Sequence, residues 1–194
     1  MRLRPFIATF SLLALLSPLP ALAERVLLET SLGPIELELD ADNAPKTVAN
    51  FTAYVTAGYY DGLIFHRVIP GFMIQGGGLD PELQPRDTRP PVENESTNGL
   101  HNLRGTLAMA RTQDPDSATS QFFINTADNR RLDGLPGRPG YTVFGKVVAG
   151  METVDRISQV ETGSRYPFRD VPITPVVIKT ARLLESDTTT EESR

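Results

Sequence analysis

The sequence predicts a mainly β protein: an antiparallel sheet closed into a barrel or sandwich, with helices over its ends. Three observations predict it. Short apolar or alternating stretches recur along most of the chain, only two segments carry helical spacing, and strands never alternate with helices as they do in parallel sheets. Closure is the expected solution, because it leaves no unpaired strand edge exposed.

The first 23 residues stand apart. Arg2 and Arg4 precede an apolar run from Phe6 to Leu16, and Ala21-Leu22-Ala23 has the small-x-small pattern of a cleavage site. This is the pattern of a secretory signal peptide; the run is broken by Pro18 and Pro20 and is short for a membrane span. Residues 24–184 are expected to form a single domain. "RVLLETSLGPIELELD" then reads as two strands around a Ser31–Pro34 turn, with Ile35, Leu37 and Leu39 alternating with acidic residues. At "DNAPKTVANFTAYVTAG" the period changes. Asn43 is the expected N-cap, Pro45 opens the first turn, Val48, Phe51 and Val55 share a face, and Gly58 stops the helix.

Further strands are predicted at 63–69, 72–76, 105–110, 121–125 and 142–148, a second helix at 150–158, and a last strand at 174–184. In the second helix Met151, Val154 and Ile157 share a side and Glu152 occupies the first turn. Residues 78–104 and 111–119 read as long irregular connections, a kind usually reserved for function. Residues 185–194, "ESDTTTEESR", contain no apolar side chain and are expected to be a disordered tail.

Composition narrows the function classes. The chain of 194 residues carries 19 Lys and Arg against 24 Asp and Glu, a formal charge of −5, and loss of the leader would make it more acidic. With no basic cluster, neither nucleic acid nor an anionic membrane is an expected partner. There is no cysteine, so disulfides and thiolate chemistry are excluded. "GGG" at 76–78 lacks the lysine of a phosphate loop, His66 and His101 are far apart with no metal-triad spacing, and no G-x-S-x-G occurs. No cofactor or metal is expected, and both histidines are read as structural hydrogen-bonders.

"FHRVIPGFMIQGG", 65–77, places Arg67 and Gln75 in otherwise apolar strands. Pro70-Gly71 marks a turn, so the strands fold back and the two polar side chains can project from one face and bond each other. A guanidinium held beside Phe72 and Met73 suits a ligand with a carbonyl and an apolar ring; an arginine snorkelling over a barrel surface is the alternative. In "GTLAMARTQDPDSATSQFFINTA", 105–127, Gln121, Phe123 and Asn125 alternate with Phe122 and Ile124. One aromatic therefore belongs to the core and the other can line a pocket, while small Ala108 and Ala110 let a peptide approach.

Together "FHRVIPGFMIQGG", "GTLAMAR…SATSQFFIN", "YTVFGKVVAGMETVDRI" and "GPIELELDADNAPKTVANF" resemble the cyclophilin-type peptidyl-prolyl cis-trans isomerases across roughly residues 25–184. The resemblance implies a closed eight-stranded antiparallel barrel with two helices, its site on the outer face, and activity on X–Pro bonds of proline-containing polypeptides without a cofactor. It implies Arg67, Phe72 and Gln75 as catalytic residues. Met73, Ala110, Arg111, Gln121, Phe123, Leu132 and Tyr141 are implied as the substrate-binding set, Ala110 and Arg111 as the edge whose backbone holds the peptide. Many eukaryotic members have a tryptophan where this chain has Arg131, which implies weak cyclosporin binding, and a histidine where it has Tyr141. With the leader, these departures resemble the bacterial periplasmic branch, acting as a monomer on exported proteins. A proline-peptide-binding chaperone with incidental isomerase activity is the alternative reading.

Overall fold

The computed structural model describes residues 23–184; the leader up to Leu22 and the tail 185–194, both read from sequence above, lie outside the described residues. Alternation builds the barrel. In β1 (Arg25–Thr30) Val26 and Leu28 are buried, and in β2 (Gly33–Leu39) Ile35, Leu37 and Leu39 are, while the residues between them face outward. After helix α1 (Pro45–Thr56) come β3 (Ile64–Ile69), β4 (Met73–Gly76), β5 (Thr106–Met109), β6 (Phe122–Asn125) and β7 (Val143–Ala149). Helix α2 (Met151–Ser158), a β8–β9 hairpin (Thr162–Arg165, Phe168–Pro172) and β10 (Val176–Leu184) complete the described chain.

Eight strands close in the order β1-β10-β3-β4-β6-β5-β7-β2, every neighbouring pair antiparallel, as the family resemblance implied. The interior is aromatic at one end. Phe51 of α1 packs against Tyr60, Phe122 and Phe144 at centroid distances of 5.2, 5.5 and 5.1 Å. Val154 and Ile157 of α2 are buried in the same core, with Met151 packed against it.

Two expectations change. Asn43 does not cap α1: its side chain donates to the Asp40 carboxylate, and Ala44 occupies the N-cap. The helix amides are satisfied from afar, since the Glu95 carboxylate accepts from the Lys46 and Thr47 N–H groups at 3.1 and 2.9 Å and from the Thr47 hydroxyl at 2.6 Å. A remote carboxylate thus outcompetes the local amide, and it ties the 78–104 connection to the helix. The second change is the β8–β9 hairpin, which lies outside the barrel. Val171 and Phe168 pack it against Ile64, Leu79 and Leu83, but Gly163, Ser164, Arg165 and Arg169 give it no apolar period by which sequence reading would find it.

Candidate active site

A β-bulge explains how an arginine came to stand in an apolar strand. In β3, Phe65 pairs with Gly76 and Arg67 with Gln75, so His66 is one residue in excess of its partner strand. Without it Phe65 and Arg67 would share a face. With it, Phe65 points into the barrel against Phe122 while Arg67 points out. The hairpin then turns over Ile69–Phe72, where the Phe72 N–H donates to Ile69 at 3.1 Å and Gly71 takes φ 68°, the left-handed corner that a Pro-Gly turn requires.

Outward residues of five adjacent strands form one cross-strand row: Arg67 opposite Gln75, Gln75 opposite Phe123, Phe123 opposite Ala108, Ala108 opposite Val143. Phe122 and Ile124 belong to the barrel core and Phe123 does not: the alternation separated the two aromatics, and the resemblance implied which of them lines the pocket. Met73, Ala108, Phe123 and Val143 make the floor of an apolar cup; Phe72, Leu132, Ala110 and Tyr141 pack around it. The Tyr141 ring meets Phe123 edge-on at 5.7 Å. Small Ala108 keeps the floor open beside the large rings.

The polar members are arranged otherwise than the hairpin alone suggested. Gln75 does not bond Arg67; its amide donates to the Gln121 Oε1 at 2.9 Å. Gln121 immediately precedes β6, and its side chain lies where it does because residue 78 is glycine: a Cβ there would lie 2.5 Å from it. Arg67 instead faces Asp170 of the β8–β9 hairpin, Nε to Oδ2 at 3.6 Å. Ala110 spends its N–H on the Gln121 carbonyl at 2.9 Å, so that amide is not a donor for substrate. Arg111 serves the rim through its side chain, donating to the Gly140 and Pro139 carbonyls and lying over the Tyr141 ring at 4.7 Å. Arg131 covers Phe72 in the same way, at 4.9 Å.

Beneath the cup runs a buried polar chain that gave no signal in the sequence. Asp133 accepts from the Asn102 N–H and side chain at 2.7 and 3.0 Å and from His101 at 2.8 Å. Asn125 donates to Asn102, Asn129 donates to Asn125, and Asn129 also donates to the Phe72 carbonyl at 2.8 Å. Leu132 and Tyr141 are tied in through the Tyr141 N–H to the Leu132 carbonyl at 2.9 Å. Burial would raise the Asp133 pKa, but the hydrogen bonds from Asn102 and His101 outweigh it and hold it below the usual value.

The two histidines differ. His101 is paired with Asp133, whereas His66 has a hydrogen bond with the Ile64 backbone and its Nδ1 is buried with no partner among the described residues. Burial first, and the Arg67 charge in addition, lower the His66 pKa to about 4. The unfolded chain, with histidine near 6.5, binds the proton more readily, so stability falls as pH drops from about 6.5 towards 4. The expected loss is up to about 3 kcal/mol. Melting temperatures between pH 7 and 4 check this, and His66→Leu should flatten that part of the profile.

Comparison with known proteins agrees with this fold. The family model described as cyclophilin type peptidyl-prolyl cis-trans isomerase/CLD matches residues 25–183. A peptidyl-prolyl cis-trans isomerase A of Dickeya dadantii is 54% identical over 182 residues, covering 92% of this chain and 96% of the relative. Peptidyl-prolyl cis-trans isomerase B of Escherichia coli is 49% identical over 164 residues, 82% of this chain and 99% of its own. The crystal structure of a Cryptosporidium parvum cyclophilin, determined in the presence of the dipeptide Ala-Pro, superposes with a TM-score of 0.72 at 30% identity, covering 84% of this chain and 99% of that one. The chain belongs to the cyclophilin-type peptidyl-prolyl cis-trans isomerases and is an isomerase of that class.

Proposed function

We propose that this isomerase acts after export, as a monomer in the periplasm, on X–Pro bonds of exported polypeptides, and so assists their folding, with Arg67 as the group that lowers the barrier. The observation that carries the assignment of roles is the row that sets the Arg67 guanidinium, through Gln75, one residue pair away from the Phe123 floor.

Turning a peptide bond costs about 18–20 kcal/mol because amide resonance is lost. The X–Pro isomers are close in energy but exchange over tens to hundreds of seconds. Reaching milliseconds requires a gain of roughly 10⁴-fold, about 5.5 kcal/mol. No covalent bond breaks, so the enzyme needs only to bind the twisted amide better than either planar one. In the twisted state the prolyl nitrogen pyramidalises and regains a lone pair, which a guanidinium N–H can meet and which the planar amide nitrogen scarcely offers. Phe72, Met73, Phe123, Leu132 and Tyr141 grip the ring while the acyl side rotates. Gln75 and Gln121, bonded to each other, hold polar groups at the mouth of the cup. Arg131, lying over Phe72 where a tryptophan would otherwise offer an indole, makes weak cyclosporin binding the expectation.

Export is supported by Arg2, Arg4, the Phe6–Leu16 run and Ala21-Leu22-Ala23. The acidic charge supports polypeptide clients over nucleic acid or anionic membranes, and no helix among the described residues is long and apolar enough to cross a membrane. Two measurements test the reading. Fractionation of cells producing the whole chain should find it in the periplasmic extract, shortened after Ala23; full-length protein in the cytoplasm overturns the export step. The mature protein should accelerate refolding of an exported protein limited by an X–Pro bond. Binding of that protein without acceleration would favour a chaperone module instead.

A further inference from the structure

Asp170 sits where no regular strand residue would. It is one of two non-glycine residues with positive φ among the described residues, at 58°, in the left-handed region that costs most side chains energy. That corner belongs to β9, a strand outside the barrel, about a hundred positions along the chain from Arg67. The hairpin is packed against β3 through Val171 and Phe168, so Asp170 is presented by a seated element, not by a free loop. Between hairpin and barrel lies a groove of about 440 Å³, lined by His66, Arg67, Gln75 and Gln121 on one side and Phe168 and Asp170 on the other. Among the described residues Asp170 is the only acidic side chain lining it, and Arg169 and Arg67 are the cationic ones.

We propose that Asp170 is a positioning residue for isomerisation: its carboxylate faces the Nε edge of Arg67 at 3.6 Å and sets the plane of the guanidinium, leaving the terminal nitrogens for substrate. Among the described residues those terminal nitrogens have no hydrogen-bond or ion-pair partner, and Gln75, the other candidate to orient the group, is committed to Gln121. Both members of the ion pair are 43% exposed, so its contribution to fold stability is small. Its effect lies in direction. A guanidinium on four rotatable bonds acts on a lone pair only when one N–H points along it, and Asp170 removes the rotamers in which it does not. The ion pair engages Nε and leaves the two terminal nitrogens unengaged among the described residues.

This inference rests on Arg67 being the barrier-lowering group, and the experiment separates the two. Asp170→Asn and Asp170→Gly both tolerate the left-handed backbone and both remove the charge. Each should lower kcat on an X–Pro peptide by about five- to twentyfold, with KM within about twofold. Neither should lower activity further when Arg67 is already alanine. At about 1 M salt, where charges are screened within about 3 Å, the wild type should approach the Asp170→Asn variant while that variant changes little. Turnover within twofold of wild type for both variants overturns the proposal. So does an equal loss in the Arg67→Ala background, the result that a merely structural hairpin would give. If Arg67→Ala itself turns over normally, it is the role of Arg67 that falls, and that is read from the single variant alone.

Discussion

Replacing Arg67 by alanine is expected to lower kcat/KM for an X–Pro peptide by about 10²–10³-fold, as removal of a preorganised donor does elsewhere. That corresponds to roughly 3–4 kcal/mol of the transition-state stabilisation. The fold should not notice. Arg67 is half-exposed, its one ion pair is with an equally exposed Asp170, and its backbone stays in the β3–β4 ladder. The melting temperature should therefore stay within a degree or two while turnover collapses. Arg67→Lys should fall between, since an ammonium keeps the charge but not the planar fork. The residual activity of Arg67→Ala comes from the cup, which still restricts the ring. A protease-coupled or exchange measurement beside a thermal melt checks both halves; near-normal turnover would remove Arg67 from the mechanism.

The largest effect on stability is expected at the other end of the barrel. Phe51 is fully buried and, among the described residues, is the one ring that touches Tyr60, Phe122 and Phe144 together, joining α1 to the turn that follows it and to β6 and β7 of the closed sheet. Phe51→Ala deletes a ring from a site whose walls are strands that cannot collapse inward. The cost should be about 3–5 kcal/mol. At roughly 2–4 °C per kcal/mol for a domain of this size, the melting temperature should drop by about 10 °C. The remaining folded fraction should keep its activity, because Phe122 points inward and only its neighbour Phe123 reaches the cup. Calorimetry against an X–Pro assay separates the two faces of β6.

How much of this was legible follows from which signals are local. Alternation set Gln121 and Phe123 on one side and Phe122 and Ile124 on the other, because side-chain direction follows position along an extended chain; which side was outer came from the resemblance. Helices α1 and α2 were equally local. The partners of the polar residues were not. A hairpin seen alone pairs Arg67 with Gln75, and its backbone register does so; the side chains are redirected by β6 on one flank and the β8–β9 hairpin on the other. Asn43 failed as a cap for a related reason, Glu95 arriving from about fifty positions away. The Asn102–Asn125–Asn129 chain is scattered through loops and a strand end, with no period to reveal it.

The single surplus residue at His66 gives the outer face of β3 a kind of parity. Every substitution in β3 leaves the count unchanged and can do no more than alter what is displayed. Ironing out the bulge with every residue kept would swap odd for even, driving the cation into the barrel or the aromatic out of it, whereas deleting His66 would leave both facing as they do. Shortening this stretch by one should accordingly be tolerated at His66, where the ladder closes over the gap with its faces unchanged.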